Sequence, residues 1–201
     1  MLEKLRKAMK TADIDMLLIP SADPHGSEYP EEYFKARKHF SGFTGSAGTL
    51  LIWQGGAGLW TDGRYFLQAE RQLEGSGIDL FKMREPGVPT VDEFIAENIK
   101  GGVLGADLRT ISASEGMELE KGGAILKDCR SLIDGCWEGR PELSREPAYV
   151  LPMELAGVSS SDKLGAVRAE MAKCDANACI FTDLADIAWL FNIRGNDVKY
   201  L

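Results

Sequence analysis

The sequence has 201 residues, of which 44% are apolar and 27% are charged, as in one globular domain with some chain left over. Its net charge of -8 argues against nonspecific nucleic-acid binding, because such binding depends on Lys and Arg at phosphates. No apolar run approaches the roughly eighteen residues of a membrane helix, and no secretory signal is present, so we expect a cytoplasmic protein without membrane contact.

Apolar spacing predicts alternating helices and strands in the first forty residues. Apolar side chains at helical intervals predict a helix over 2–12, and the apolar run 16–19 predicts a strand that ends at Pro20. A second helix is predicted over 29–40, with Arg37 on its polar side. The chain is therefore expected to begin with a helix, a strand and a helix.

The loop before the second helix holds the cluster most suited to acid/base chemistry, Asp23, His25 and Glu28. A single histidine beside two carboxylates in a turn is more often solvated, or a local hydrogen-bond partner, than catalytic. We therefore predict no active site in this loop.

Three glycines follow at regular intervals, at positions 42, 45 and 48. Such spacing suggests a phosphate-binding loop, but a dinucleotide loop follows a strand and opens a helix. Here the glycines close a helix and lead into a predicted strand at 49–53. A helix C-cap followed by a tight reversal therefore explains them better.

Arg64 lies just beyond the next strand, 57–60, which follows its predecessor through a Gly-Gly turn. Thr61 and Asp62 are typical of a helix start, so Arg64 is predicted in a first helical turn, where the helix dipole disfavours a cation. Two interpretations remain open. Arg64 forms a local ion pair with Asp62 or Glu85, or it binds a carbonyl or anion at a strand end, where open α/β sheets place their ligands.

The remaining periodic segments complete an α/β pattern. They are a strand at 78–83, a helix over 91–99 that Thr90 caps, a strand at 103–106, a helix from Ser112 to about Lys127, and a strand at 130–133. Because most strands alternate with helices and one pair does not, we predict a mixed β-sheet flanked by helices over residues 1–136.

Residues 137–160 contain three prolines without clear periodicity and are predicted to be a linker. Beyond them the start of the chain recurs, so that a strand is predicted at 178–181. We therefore predict a second, similar domain that begins in 161–201 and is truncated there. So short a unit can hardly bury its own apolar side chains, which should pack on the first domain or another molecule, or be poorly ordered. These side chains are Ile180, Trp189 and Phe191.

No known catalytic motif is present in the sequence, which has neither HExxH nor GxSxG nor a P-loop. The four cysteines lack the spacing of a zinc site, and only two histidines are available. From the residues alone we expect an α/β domain with one unusual arginine.

Three motifs lie in one order along the chain: FSGFTGSAGT at 40–49, WTDGRYF at 60–66 and DIAWLFNIRG at 186–195. Together they resemble the N-terminal part of the long, three-domain Xaa-Pro aminopeptidases (aminopeptidase P), relatives of prolidase and creatinase. The resemblance covers nearly the whole chain. It implies a creatinase N-terminal-domain fold, followed by the start of a second such domain.

The resemblance also implies a function. Enzymes of this family remove the first residue from peptides with proline at the second position, using two divalent metal ions, usually manganese, in a C-terminal catalytic domain. None of those ligands can be placed in this chain, so we expect neither a bound cofactor nor peptidase activity here. A proline-containing peptide is the implied partner, and the full-length protein is expected to be a homodimer.

The arginine of the WTDGRYF motif is the one family residue that can be transferred, and it is Arg64. The resemblance implies that Arg64 contacts the substrate. Arg194 and Asp197 could line the same cleft, although an ion pair that stabilises a turn explains them better. Two alternatives to the enzyme remain: a non-catalytic module that binds peptide or protein, and a nucleotide-binding domain of the flavodoxin type.

Overall fold

The computed structural model describes residues 1–27 and 29–197. Its contacts divide the chain into two compact units, Met1–Glu142 (unit 1) and Leu143–Leu201 (unit 2). Residues 137–160, predicted to be a linker, are therefore shared between the two units. None of the helices in the described ranges combines the length and the apolar composition that a membrane span requires.

The described part of unit 1 contains a six-stranded sheet. Its strands are β1 (Met16–Pro20), β2 (Thr49–Trp53), β3 (Gly56–Thr61), β4 (Asp79–Lys82), β5 (Val103–Ala106) and β6 (Ile125–Asp128). They lie in the order β4-β3-β2-β1-β5-β6, and β2 alone runs against the other five. The predicted mixed sheet is confirmed, as are the bounds of the strands at 49–53 and 103–106.

Helices cover both faces of this sheet. They are α1 (Leu2–Thr11), α2 (Ala36–Ser41), α3 (Phe66–Leu73), α4 (Val91–Ile99), α5 (Ala113–Lys121) and α6 (Arg130–Cys136). The buried side chains of α1, α2, α3 and α6 share one core layer with Leu17 and Ile19 of β1. Those of α4 and α5 share the opposite layer with Met16 and Leu18. Alternate side chains of β1 therefore supply both cores, as expected for a strand buried on both faces.

The segment from α5 to α6 differs from the prediction. The helix predicted over 112–127 ends at Lys121, residues 125–128 form β6, and the predicted strand at 130–133 lies inside α6. Gly123 adopts a φ of 94°, which continues neither a helix nor a strand. Periodicity could not locate this strand, because a run of four residues is too short to separate strand from helix. The open edge of β5, with which β6 pairs, decides its state.

The helix predicted over 29–40 is shorter than expected. A 3-10 turn at Glu32–Phe34 precedes α2, which begins only at Ala36. Arg37, predicted on the polar side of the helix, is buried. Its guanidinium turns inward because it donates hydrogen bonds to the carbonyl groups of the following loop.

The described part of unit 2 is small. It contains α7 (Met153–Ala156), α8 (Ser160–Lys173), α9 (Leu184–Phe191) and the antiparallel pair β7 (Tyr149–Val150) and β8 (Ile193–Arg194). Among the residues described there, the strand predicted at 178–181 is not formed, and Ile180 is 85% exposed. Trp189 and Phe191 are about half exposed. A strand without a hydrogen-bonding neighbour gains no ladder, which explains why the apolar run does not become one.

A buried lysine of unit 2, Lys163, connects α8 to the end of α9. Lys163 of α8 donates hydrogen bonds from Nζ to Trp189 O at 2.7 Å and to Asn192 Oδ1 at 2.6 Å. Asn192 is the left-handed C-cap of α9, and its Nδ2 donates in turn to Val158 O. A cation at a helix C-terminus also interacts favourably with the helix dipole. Lys163 therefore satisfies the end of α9 and ties it to α8.

We expect Lys163→Met to lower the free energy of unfolding of unit 2 by about 1 to 3 kcal/mol, because Trp189 O and the Asn192 side chain lose their donor inside the core. Hydrogen exchange of the α9 amides should accelerate accordingly. Lys173→Met, at an exposed position of the same helix, is the matched control and should change exchange little. Unchanged α9 exchange in Lys163→Met would contradict this role.

Candidate functional site at the carboxyl edge of the sheet

Five strands of unit 1 run parallel, so their carboxyl ends share one edge of the sheet, called here the carboxyl edge. At this edge, three of these strands end at or next to an aspartate that is followed two residues later by an arginine. The three Asp-x-Arg pairs are Asp62–Arg64 directly after β3, Asp107–Arg109 directly after β5 and Asp128–Arg130, which starts at the last residue of β6. Only the first was predicted from the sequence. The signal for the other two is the same spacing at the end of a strand.

The first two pairs share one geometry. Asp62 accepts hydrogen bonds from Arg64 N, Nε and Nη2 at 3.0, 2.9 and 2.8 Å. Asp107 accepts from the same three atoms of Arg109 at 3.1, 3.0 and 2.7 Å. In each case one carboxylate closes a backbone turn by accepting from the backbone N and also accepts hydrogen bonds from two nitrogens of the guanidinium. This bidentate arrangement fixes the plane of the guanidinium as well as its position.

Arg64 does not lie in the first turn of a helix, as the sequence had suggested. Helix α3 begins at Phe66, and within the described residues its start has no side-chain cap. Asp62 instead forms a turn, because its carboxylate accepts from Arg64 N while its carbonyl accepts from Tyr65 N at 3.0 Å. The dipole penalty predicted for Arg64 therefore does not apply.

Arg64 is ion-paired and accessible at the same time. Of the interpretations left open by the sequence, the pair with Asp62 is formed. The side chain of Arg64 nevertheless stays 69% exposed, whereas that of Arg109 is 29% exposed. The hydrogen bonds from Arg64 hold the pKa of the Asp62 carboxyl down to about 2. The pair is therefore fully charged at neutral pH and faces solvent.

The crevice between β1 and β5 is the other candidate position at the carboxyl edge. The chain leaves β1 toward one face of the sheet and leaves β5 toward the other face. Open α/β sheets usually bind ligands in the crevice between two such strands. Here Arg140 occupies it, with its guanidinium 3.6 Å from the centre of the Tyr33 ring and two hydrogen bonds to Tyr33 O. The remaining space, about 10 Å³, suits roughly one water molecule. A nucleotide does not fit there.

The loop with the acid/base cluster forms a local turn. Asp23 is buried and accepts hydrogen bonds from the backbone N of His25 and of Ser27, both at 2.9 Å. The carboxylate of Asp23 therefore closes the turn, and the contact of His25 within it is made by the backbone N. Glu28 lies outside the described residues. Gly42 adopts a φ of 74° as the C-cap of α2, which confirms the prediction for the first of the three glycines.

Arg194 and Asp197 belong to unit 2. Arg194 donates from Nη1 to Ala188 O at 3.1 Å and to Ile193 O at 2.7 Å, so it links α9 to β8. Asp197 is exposed. Within the described residues the hydrogen bonds of the Arg194 guanidinium go to carbonyl groups and not to Asp197. The arginine instead donates to one carbonyl group of α9 and one of β8.

No group of three or more His, Cys, Asp or Glu side chains in the described part of the chain could hold a metal ion. The carboxylates of the carboxyl edge are each committed to an arginine. The described residues therefore do not fit a metal centre, and the chemistry available at this edge is hydrogen bonding by arginine.

The chain matches known proteins along nearly its whole length. Residues 1–136 and residues 139–201 each match a family model described as the creatinase/prolidase N-terminal domain. Aminopeptidase P1 of Lotus japonicus is 40% identical over 200 residues, which are 96% of this chain and 30% of the relative. A probable Xaa-Pro aminopeptidase P of Coccidioides posadasii is 40% identical over 206 residues, which are 99% of this chain and 34% of the relative.

Solved structures agree with these matches. The X-prolyl aminopeptidase from Caenorhabditis elegans, described as a cytosolic enzyme with a di-nuclear active site, is similar with a TM-score of 0.86 and 33% identity. The similarity covers 99% of this chain and 35% of that one. The Xaa-Pro dipeptidase from Bacillus anthracis, 20% identical with a TM-score of 0.51, covers 85% of this chain and 42% of its own and shares the fold. This chain thus spans about a third of the length of the curated relatives named above.

We expect Arg64→Gln to raise the pKa of the Asp62 carboxyl from about 2 toward its ordinary value near 4, because the lowered value comes mainly from the hydrogen bonds of Arg64. Carbon-detected NMR titration of the Asp62 carboxyl measures this directly. Arg109→Gln is the matched control, since it removes the equivalent arginine at β5 and should leave the pKa of Asp62 unchanged.

The same pair makes stability depend on pH. The folded-state pKa of Asp62 lies below its unfolded value, so the stabilisation is complete above about pH 4 and is lost as the pH falls toward 2. In Arg64→Gln this acid-dependent loss should shrink. An Asp62 carboxyl that titrates alike in both proteins would contradict the geometry described here.

Proposed function

The chain belongs to the creatinase/prolidase N-terminal domain family, and we propose that it is the non-catalytic N-terminal part of a metal-dependent Xaa-Pro aminopeptidase. Such an enzyme removes the N-terminal residue from peptides with proline at the second position. The observation that carries this proposal is the similarity to enzymes of this name, which runs through both units.

In this proposal the domains of the enzyme have different roles. Residues 1–136 form a first creatinase-like domain, and 161–201 open a second domain of the same kind. Two divalent metal ions, manganese in our proposal, are held by a catalytic domain that this chain does not contain. The di-nuclear active site of the Caenorhabditis elegans enzyme supports a pair of metals. When bound, the metals generate the attacking hydroxide and polarise the scissile carbonyl.

Arg64 is the residue of this chain that we propose to contact the peptide. Its guanidinium is exposed, and Asp62 holds it in a fixed plane at the carboxyl edge. Because the pair with Asp62 has little net charge, it suits a neutral peptide carbonyl better than a carboxylate. A preoriented donor also loses less side-chain entropy on binding than a mobile arginine does.

Further parts of the proposal concern assembly and the second unit. We propose a cytoplasmic homodimer for the full-length protein, in which Arg64 reaches an active site, either that of its own subunit or that of the partner. Arg194 and Asp197 stay candidates for the wall of the same cleft. The support for Arg194 is that its side chain, at the end of α9, is only half-buried.

A non-catalytic module that binds peptide or protein is the second candidate. It is favoured by the apolar side chains of Ile180 and Trp189, which are exposed on unit 2. The two proposals differ in the residues expected after position 201. Metal-ligating aspartates, glutamates and a histidine in the continuing coding sequence would favour the enzyme, and their loss would favour the binding module.

Release of the first residue from an Arg-Pro-Pro peptide tests the enzyme proposal. We expect none from the purified 201-residue chain. We expect release, in the presence of manganese, from a longer polypeptide that includes the proposed catalytic domain. Activity of the short chain, or none from a folded, metal-loaded long polypeptide, would contradict the proposal.

In the longer polypeptide we expect Arg64→Ala to lower kcat/KM by about 10- to 100-fold, as for the loss of a hydrogen bond from a charged donor. The melting temperature should fall only slightly, because an exposed ion pair contributes little to stability. Arg130→Ala, which breaks the Asp-x-Arg pair after β6, is the matched control and should leave kcat/KM within about twofold. Equal kinetics in Arg64→Ala and the unmodified protein would remove Arg64 from the site.

A further inference from the structure

Another arginine of unit 1, Arg37, is buried and has no carboxylate as a hydrogen-bond partner. Arg37 is 6% exposed, and it donates hydrogen bonds from Nη1 to Phe43 O at 2.8 Å and from Nη2 to Gly45 O. Among the described residues its Nε has no hydrogen-bond partner. Burial lowers the pKa of this guanidinium to about 10. Burial of a cation whose partners are neutral carbonyl groups costs free energy. We therefore asked what Arg37 does for the loop to which it is hydrogen-bonded.

That loop, residues 42–48, packs directly against Tyr65. Gly45 has no room for a side chain, because a Cβ there would lie 2.3 Å from Phe43 Cζ and 2.8 Å from Tyr65 Cδ1. The hydroxyl groups of Ser46 and Tyr65 are 2.7 Å apart and share a hydrogen bond. The position of the Tyr65 ring is therefore set by the loop.

The rings connect Arg37 to Arg64 in an unbroken line of contacts. The Arg37 guanidinium lies 4.9 Å from the centre of the Phe43 ring, and Phe43 meets Tyr65 edge to face at 5.9 Å between centroids. The Arg64 guanidinium lies 5.2 Å from the centre of the Tyr65 ring. Cation–π and edge-to-face contacts of this kind favour defined orientations. We call these four side chains the arginine–aromatic column.

We infer that Arg37 is a positioning residue for Arg64 and acts through the arginine–aromatic column. Arg37 fixes the carbonyl groups of Phe43 and Gly45, the loop fixes the Tyr65 ring, and the ring supports one face of the Arg64 guanidinium while Asp62 grips its edge. The Tyr65 ring thus contacts the face of the Arg64 guanidinium, a direction that the edge-on hydrogen bonds to Asp62 do not cover. The consequence for peptide cleavage rests on the role proposed above for Arg64, whereas the effect on its orientation does not.

The side-chain Nε of each arginine gives an NMR signal whose order can be measured in the 201-residue chain. We expect Arg37→Met to lower the order of Arg64 Nε, because the loop releases the Tyr65 ring. Arg109 is an internal control: it has the same Asp-x-Arg geometry but packs near Tyr33 and Phe34 instead of the column. Lys38→Met, an exposed substitution on the same helix, should change neither signal.

Tyr65→Leu provides a second route if Arg37→Met does not fold. Leucine keeps apolar volume beside Gly45 but removes the ring face and the hydroxyl, so Arg64 Nε should again lose order while Arg109 Nε does not. Wild-type order at Arg64 in every folded variant of this pair would overturn the inference. A loss of order shared by Arg64 and Arg109 would also overturn it, since it would indicate general loosening of the domain.

Kinetics of the longer polypeptide separate this inference from the proposed function. We expect Arg37→Met to lower kcat/KM several-fold, and the Arg37→Met, Arg64→Ala double variant to be no slower than Arg64→Ala alone, because both changes remove one interaction. Additive losses would overturn an action of Arg37 through Arg64. Reduced order at Arg64 with unchanged kinetics in all variants would support the positioning role and reject the peptide contact instead.

Discussion

Strand β1 is the element on which unit 1 depends. It is hydrogen-bonded on both edges, antiparallel to β2 and parallel to β5, so it is held from both sides. Its side chains enter both core layers in alternation. A strand in this position leaves little freedom of register, because a shift by one residue would exchange the two layers. The antiparallel hairpin β2–β3 and the parallel pair β5–β6 are thereby fixed relative to each other.

Strand direction then determines where the chemistry of the domain lies. Because β3, β5 and β6 all run with β1, their Asp-x-Arg pairs emerge at one edge of the sheet. The crevice that such sheets usually offer to a ligand is taken up by Arg140 and Tyr33. Arg64 follows β3, which β2 and β1 separate from β5, and it stays exposed. The edge is therefore closed where a nucleotide would bind and open where we propose that a peptide is contacted.

The two arginines of the arginine–aromatic column illustrate two ways of placing a guanidinium. Arg64 is exposed and carries its own carboxylate, so its charge is balanced and hydrated. Arg37 is buried and carries none, so its charge is supported by carbonyl dipoles and an aromatic face. The first arrangement costs little and keeps the guanidinium exposed to solvent. The second is expensive but rigid, which suits a residue that holds a loop in place.

Sequence patterns were sufficient wherever a local signal was strong. The apolar runs of β1, β2 and β5, the helix cap at Thr90 and the glycine C-cap at position 42 follow from local residue preferences, and the structure agrees with each. The three family motifs, which join distant segments, also came from sequence alone. The predictions that failed concern short segments whose state depends on a neighbour, such as β6 and the run at 178–181.

The sequence by itself thus determined the α/β class, the family and the candidacy of Arg64. Only the tertiary structure showed that Arg64 precedes its helix, that Arg37 faces inward, and that aromatic rings connect them. The physical reason is one of range. Caps, turns and periodicity depend on residues a few positions apart, whereas burial of Arg37 and the packing of Tyr65 on Gly45 depend on segments that meet only when the sheet has formed.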